Sequence, residues 1–268
     1  MRCDLGDVSI FYEAHGAGRP IVMLPGRPSD HGIMERFMEP VFTGREGWLR
    51  LYPDLPGTGR TPGPDRLATH DRILEALLAF IDMVIPGQRF VVAGYSNGGY
   101  LARGMVYHRA SSIDGLLLCA PGVKANPAQA QLPPQTTLVE DPVLADELGP
   151  VANLIVVQSP RVVEAMRQVL AEVKIADHPF NDRLEVAAPA SFEVDPQPRL
   201  FGGPTLIMTA QQDSLCGYRD AWDLLESYPR ATFAVLDRAG HFIPIEQDAL
   251  CHALIAEWLG RVEELAPS

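Results

Sequence analysis

The 268-residue sequence has too few cysteines for a disulfide scaffold and no apolar run long enough for a membrane-spanning helix. Its four cysteines include no C-x-x-C pair. A membrane helix needs roughly 18 consecutive apolar residues, and no such run occurs. The first residues carry acidic side chains where a signal peptide needs an apolar stretch. We therefore expect reduced thiols and a cytoplasmic protein with no membrane partner.

Positive charge is also scarce. Lys and Arg number 22 against 34 Asp and Glu, which gives a formal net charge of −12. Nucleic acids and anionic lipid surfaces bind proteins through a positive footprint, so neither is expected as a partner. The sequence spacing shows no cluster of histidine and carboxylate ligands, and no metal or organic cofactor is expected.

The sequence does contain a regular alternation of short apolar runs and amphipathic segments. Apolar runs bounded by Pro and Gly are typical of buried parallel strands. They predict strands at residues 8–13, 21–24, 48–52, 90–93, 115–119, 204–209 and 232–236. Helical periodicity predicts helices at residues 32–43, 69–85, 97–108, 161–173, 221–227 and 246–265. The expected fold is α/β, with a mostly parallel twisted sheet flanked by helices.

The alternation stops between residues 123 and 202, where prolines are frequent. The apolar helical pattern at residues 161–173 gives this segment a face to bury, which favours a folded insertion over a disordered linker. We expect a helical cap at 123–202, inserted into a core formed by residues 1–122 and 203–268.

Residues 94–98 read Gly-Tyr-Ser-Asn-Gly and lie between a predicted strand and a predicted helix. In that setting, the G-x-S-x-G pattern is typical of a sharp turn that lifts the serine hydroxyl above the sheet. The start of the helix also favours developing negative charge. Ser96 is therefore the candidate nucleophile, and the alternative is a serine that only caps the helix.

A serine hydroxyl needs a base to remove its proton. Of the seven histidines, His241 fits best, because it follows the strand predicted at 232–236 and precedes the last helix. The base in turn needs a carboxylate that orients its imidazole. Asp213 follows the strand predicted at 204–209 and completes the order Ser, Asp, His along the chain.

Other carboxylates fit this role less well. The strand predicted at 115–119 is followed by no acid before Glu140. Asp237 and Glu246 lie close in sequence to His241. Asp213 is therefore the candidate acid, and the alternative is an aspartate that only caps its loop.

An acyl-transfer site also needs two backbone N–H groups that converge on the developing oxyanion. One is expected from Asn97, the residue after the nucleophile. The other is expected from Arg27, in the tight turn Leu-Pro-Gly-Arg-Pro at residues 24–28. The alternative for this second segment is a plain Pro-Gly turn.

Together these motifs resemble the α/β-hydrolase superfamily. Residues 54–60, Asp-Leu-Pro-Gly-Thr-Gly-Arg, resemble its D-x-P-G-x-G turn, and Gly240-His241 resembles its histidine loop. The resemblance covers about residues 1–120 and 204–265, and the middle resembles only the family's variable cap by position. Pro25 stands where the family's His-Gly-x-Pro signature has histidine. The resemblance implies the fold and a Ser-Asp-His triad, but little about the substrate.

A serine nucleophile argues against the haloalkane dehalogenases and epoxide hydrolases of this superfamily, which use aspartate. The expected function is cleavage of a small carboxylic ester or related acyl bond through an acyl-enzyme, with a small acyl substrate. Two alternatives stay open. One is a C–C bond hydrolase or small peptidase of the same fold, and the other is a ligand-binding or signalling protein on a hydrolase scaffold.

Overall fold

A computed structural model describes residues 1–124, 126–172, 178–186, 194 and 200–265. The strands in chain order are β1 (Arg2–Asp4), β2 (Ser9–His15), β3 (Arg19–Leu24), β4 (Trp48–Pro53), β5 (Phe90–Tyr95), β6 (Ile113–Cys119), β7 (Thr205–Ala210) and β8 (Ala231–Leu236). They form one eight-stranded sheet in the order β1-β2-β4-β3-β5-β6-β7-β8. Strand β2 pairs antiparallel with both β1 and β4. The remaining pairings across the sheet, from β4 through β3 to β8, are parallel. The predicted mostly parallel sheet is confirmed.

The helices flank this sheet. They are α1 (Gly32–Phe42), α2 (His70–Val84), α3 (Asn97–Arg109), α4 (Pro142–Leu148), α5 (Pro160–Glu172), α6 (His178–Val186), α7 (Tyr218–Trp222), α8 (Ile243–Glu246) and α9 (Asp248–Glu263). The Thr69 hydroxyl accepts a hydrogen bond from the Arg72 N–H and caps α2. Among the described helices, none combines the length and the apolar character needed to span a lipid bilayer.

Two predicted helices have different bounds in the structure. The helix predicted at 221–227 begins earlier, at Tyr218, and continues after α7 as a 3-10 turn, Asp223–Glu226. The helix predicted at 246–265 starts at Asp248, because Gln247 adopts φ −129° and ψ 42° and separates α9 from α8. These non-helical angles break the periodic run that the sequence pattern joined.

The core lies on both faces of the sheet. Every residue of β5 is buried, which is typical of a strand covered on both sides. Val91 and Ala93 belong to one hydrophobic cluster, which also contains residues of α1 and α9. Val92 belongs to the other cluster, which also contains residues of α2 and α3. Alternate residues of one strand therefore support two separate layers of helices.

The segment between β6 and β7 contributes α4, α5 and α6 to the described residues. Met166 and Val169 of α5 share a hydrophobic cluster with Ile33 and Phe37 of α1. Helix α5 therefore buries its apolar face in the same cluster as α1, whereas Phe180 and Leu184 of α6 belong to the other cluster. Of the predicted cap, residues 125, 173–177, 187–193 and 195–199 lie outside the described residues.

Candidate active site

The chain turns sharply where β5 ends and α3 begins. Ser96 occupies this turn with φ 54° and ψ −119°, a backbone conformation that non-glycine residues rarely adopt. A Cβ at Gly98 would lie 2.2 Å from the Leu24 carbonyl oxygen, and one at Gly94 would lie 2.3 Å from the Gly98 carbonyl oxygen. The two glycines of the motif are therefore required by close backbone packing.

The structure brings Ser96, His241 and Asp213 together. The distance from Ser96 Oγ to His241 Nε2 is 3.0 Å, and that from His241 Nδ1 to Asp213 Oδ2 is also 3.0 Å. Asp213 follows β7 and His241 follows β8, and these strands run parallel. Because the carboxyl ends of parallel strands share one edge of a sheet, residues far apart in sequence meet there.

The Asp213 carboxylate is fully buried and held in one orientation. Its Oδ1 accepts hydrogen bonds from the N–H groups of Leu215 and Cys216, both at 2.9 Å. Oδ2 is left to face His241. An ionised Asp213 therefore accepts from Nδ1–H and leaves Nε2 as the atom that faces the serine hydroxyl.

The electrostatics of His241 combine opposing effects. Burial lowers its pKa, but the Asp213 carboxylate and hydrogen bonds to Asp213 and Cys216 raise it more strongly. The pKa of His241 is therefore raised above its usual value. Such an imidazole can hold a proton as a cation beside its buried carboxylate.

Two further contacts hold the loop that carries His241. The Tyr95 hydroxyl donates a hydrogen bond to the His241 carbonyl oxygen at 3.0 Å. The Glu246 carboxylate accepts from the Gly240 N–H and from the Val156 N–H, both at 2.7 Å. Burial raises the pKa of Glu246, although the hydrogen bonds from backbone N–H groups lower it. Glu246 thus joins the histidine loop to the segment between β6 and β7.

The rival candidates have other partners. The Asp237 carboxylate accepts from the Gln212 amide at 2.9 Å, and Glu246 binds backbone N–H groups. Among the other histidines, His15 lies 2.6 Å from Glu35. His31 lies 2.7 Å from Asp54.

The backbone around both predicted oxyanion donors lies next to Ser96. Asn97 is the first residue of α3, where N–H groups have no acceptor within the helix. Arg27 follows Gly26, at which a Cβ would lie 2.9 Å from Ser96 Cβ. Both candidate N–H groups therefore belong to segments packed directly against the serine.

Ser96 lines a cavity of about 200 Å³. His70 and Cys216 line it too, and neither was identified from the sequence.

The His70 Nε2 lies 2.6 Å from the Asn97 amide nitrogen. Burial, together with the positive charge of Arg27, lowers the pKa of His70 to about 4. A neutral imidazole therefore accepts from the Asn97 side chain.

A charged pair forms another part of the cavity wall. Asp220 is only 2% exposed, and the Lys124 ammonium lies 3.7 Å from its Oδ1. The Gln131 N–H donates to its other oxygen at 2.8 Å. No sequence motif marks this pair, because Lys124 follows β6 whereas Asp220 lies in α7.

A buried arginine holds the turn that follows β6, next to Ser96. Arg103 lies in α3 and is 1% exposed. Its guanidinium donates to the carbonyl oxygens of Gly122 and Val123, at 2.9 and 3.1 Å. The Gly122 N–H donates in turn to the Ser96 carbonyl oxygen at 3.0 Å. Arg103 therefore fixes a wall of the cavity relative to Ser96.

Two groups of metal-ligating side chains come together in the described part of the chain. One comprises Asp213, Cys216 and His241, and the other comprises Asp30, His31 and Asp54. In each group, the ligand atoms lie within 4.8 Å of one another. Sequence spacing predicted neither group, because their members come from separate segments that only the fold joins.

The chain is similar to known proteins to different extents. The family model described as "Serine aminopeptidase, S33" matches residues 19–248. The 2-hydroxy-6-oxononadienedioate/2-hydroxy-6-oxononatrienedioate hydrolase of Cupriavidus pinatubonensis is 24% identical over 262 residues, covering 91% of this chain and 88% of that protein. The AB hydrolase superfamily protein YisY of Bacillus subtilis is 30% identical over 119 residues, which span 44% of this chain and 43% of that protein.

Solved structures resemble most of the chain. An alpha/beta superfamily hydrolase from Oenococcus oeni has a TM-score of 0.86 at 24% identity, covering 95% of this chain and 96% of that one. At this identity, the likeness shows the fold rather than the chemistry.

Proposed function

We propose that this chain, which belongs to the serine aminopeptidase S33 family of α/β-hydrolases, cleaves a small carboxylic ester or related acyl bond through an acyl-enzyme. One observation carries the proposal, namely the continuous contact from Ser96 Oγ through the His241 imidazole to Asp213, with both distances at 3.0 Å. This is the geometry in which a base activates a serine and a buried carboxylate orients the base.

In the first step, Ser96 Oγ attacks the carbonyl carbon of the substrate, and its proton passes to His241 Nε2. Asp213 keeps the proton of Nδ1 in place and stabilises the imidazolium that forms. His241 then gives its proton to the leaving oxygen as the carbonyl re-forms. The product of this half-reaction is an ester between the acyl group and Ser96.

The negative charge on the tetrahedral intermediate would be held by the N–H groups of Asn97 and Arg27. Such donors act because they are fixed before the charge develops. The Asn97 side chain contacts His70 at 2.6 Å, which supports a fixed position for this first residue of α3.

In the second half-reaction, His241 takes a proton from water, and the hydroxide attacks the acyl carbon. The bond between the acyl carbon and Ser96 Oγ then breaks, and His241 returns the proton to Ser96 Oγ. The net reaction adds water across the acyl bond and needs no further reactant.

The size of the cavity favours a small acyl group. Its volume of about 200 Å³ is below the range of about 300–1,000 Å³ typical of sites for drug-sized ligands. We also propose that residues 123–202 act as the predicted cap. The position of Lys124 and Ala130 in the wall of the serine cavity supports this.

C–C bond hydrolysis is the second candidate. It is favoured by the similarity over 262 residues to a hydrolase named for 2-hydroxy-6-oxononadienedioate. The S33 family description favours a small peptidase in the same way. Both reactions can use the same three side chains.

The test is a substrate panel on the purified protein and its Ser96→Ala variant. The panel contains p-nitrophenyl esters from acetate to octanoate, aminoacyl p-nitroanilides and a vinylogous 1,5-diketone acid. We expect the short esters to be cleaved fastest, and Ser96→Ala to cleave none. Turnover of the anilides or the diketone without ester turnover would reject the ester assignment. A protein that turns over nothing in the panel would support the ligand-binding alternative.

A further inference from the structure

Cys216 lies beside the pair formed by His241 and Asp213. Its backbone N–H donates to Asp213 Oδ1 at 2.9 Å. The ligand atoms of the three residues lie within 4.8 Å of one another. A thiolate, an imidazole and a carboxylate are the donors that Zn²⁺ prefers in proteins.

The thiol has no part in the hydrolysis proposed above, yet it is reachable from the cavity. Cys216 is partly exposed and lines the same cavity as Ser96. The other cysteines, Cys3, Cys119 and Cys251, are all buried. A thiophilic cation that enters the cavity therefore meets Cys216 first.

We propose that Asp213, Cys216 and His241 form a binding site for a zinc-class divalent cation, and that the bound cation inhibits the enzyme. The binding stands on the three side chains alone. The inhibition also rests on the proposed function, because it requires His241 to be the base of the reaction.

The His241 and Asp213 ligand atoms need little rearrangement, and the Cys216 sulfur lies within 4.8 Å of them. In a tetrahedral zinc site, nitrogen, oxygen and sulfur ligands lie about 3.3 to 3.6 Å apart. His241 Nδ1 and Asp213 Oδ2 are already 3.0 Å apart. The cation would take Nδ1, Oδ2 and the Cys216 sulfur, and the Nδ1–H and S–H protons would leave to solvent. The fourth coordination position of the cation would hold water.

Occupancy of this site would stop the proposed chemistry. With the cation on Nδ1, the imidazole loses its proton-mediated contact with Asp213. The charge of the cation then opposes a second positive charge on the same ring. His241 Nε2 still faces Ser96 but no longer takes its proton.

The second group of ligand-type residues has a different chemistry. Asp54 Oδ1 accepts from the His31 N–H at 2.9 Å, and its Oδ2 accepts from the Arg60 N–H at 2.7 Å. The group offers no sulfur ligand, and backbone N–H groups already occupy both Asp54 oxygens. A thiophilic cation therefore favours the site at Cys216.

Direct binding is measured by titrating the metal-free full-length Ser96→Ala protein with cadmium chloride and recording the ultraviolet charge-transfer band of a cadmium thiolate. We expect a saturating band in Ser96→Ala and no band in the double variant Ser96→Ala/Cys216→Ser. Because Ser96 is absent, this measurement is independent of any hydrolytic activity. Absence of the band in Ser96→Ala, or its persistence in the double variant, would overturn the site.

Inhibition is measured with zinc sulfate on the wild-type protein, Cys216→Ser and Cys251→Ser, each relative to its own metal-free ester hydrolysis. We expect loss of wild-type activity that EDTA restores. Cys216→Ser should require at least about tenfold more zinc, and Cys251→Ser should match the wild type. Equal zinc sensitivity of Cys216→Ser and wild type would reject the inhibitory role. A wild-type protein that hydrolyses nothing would instead count against the proposed function, with the cadmium result unaffected.

Discussion

The Glu246 carboxylate accepts a hydrogen bond from the N–H of Gly240 at 2.7 Å. Gly240 immediately precedes His241, so this contact sets the backbone from which the imidazole projects. The other carboxylate oxygen accepts from Val156 and Val157, at 2.7 and 3.2 Å. One buried side chain therefore links the histidine loop to the segment before α5.

Glu246→Gln should lower both stability and turnover. The glutamine oxygen can still accept from the N–H groups of Val156 and Val157. Its NH₂ group then faces the Gly240 N–H, so two hydrogen-bond donors face each other in a buried position. We expect a loss of about 1–3 kcal/mol in the free energy of unfolding, measured by urea denaturation, and a lower kcat. The control is Glu257→Gln, which removes the ion pair between the exposed Glu257 and Arg261 and should cost less than about 0.5 kcal/mol. Equal effects of the two variants would contradict the linking role.

Asp213→Asn should leave the fold intact and nearly abolish turnover. Because Oδ1 of this side chain accepts from Leu215 and Cys216, the asparagine NH₂ group must face His241 Nδ1. That forces the proton onto Nε2, where it opposes removal of the Ser96 proton. We expect kcat to fall by about 10³–10⁴-fold with a small change in KM. Asp237→Asn serves as the control, and a comparable loss there would argue against Asp213 as the orienting carboxylate.

The glycines of the serine turn provide a steric test. A Cβ at Gly98 would lie 2.2 Å from a backbone oxygen of Leu24, and neither segment can move without displacing Ser96. Gly98→Ala should therefore destabilise the fold by at least about 2 kcal/mol and abolish activity. Gly260→Ala in α9 meets nothing within 4 Å and should stabilise by about 0.5–1 kcal/mol. Both are read from urea unfolding curves, and a fully active Gly98→Ala protein would contradict the packing described.

His70 should make the protein sensitive to acid. Its pKa is lowered from 6.5 to about 4 by burial and by Arg27. Since the unfolded chain takes up this proton at higher pH than the folded chain, stability should fall as the pH drops from about 6.5 toward 4, by a few kcal/mol. His70→Asn should flatten this part of the stability–pH curve, whereas the exposed-site variant His108→Asn should not. Parallel curves for wild type and His70→Asn would refute the assignment.

The sequence predicted the parts of the site that repeat a local pattern. Ser96 lies in a motif whose glycines have a steric reason, and Asp213 and His241 follow apolar runs that are recognisable as strands. For such residues, local pattern and chain order are enough, because parallel strands bring their carboxyl ends to one edge.

The rest of the site could not be read in this way. His70 opens a helix and Cys216 lies in a loop, and each reaches the cavity only through tertiary packing. Strand β1 was missed because its three residues are too few to show a period. The break at Gln247 was missed because it is a change in backbone angles within a continuous apolar pattern.

The central claim, that Ser96 is a nucleophile activated by His241, is tested most directly by an active-site-directed fluorophosphonate. The intact protein is labelled over time, digested and analysed by mass spectrometry, with Ser96→Ala and the surface variant Ser111→Ala treated alike. We predict a phosphonyl adduct on the peptide that carries Ser96, no adduct in Ser96→Ala, and a wild-type rate in Ser111→Ala. Labelling of Ser96→Ala as fast as the wild type, or an adduct only on another residue, would contradict the account.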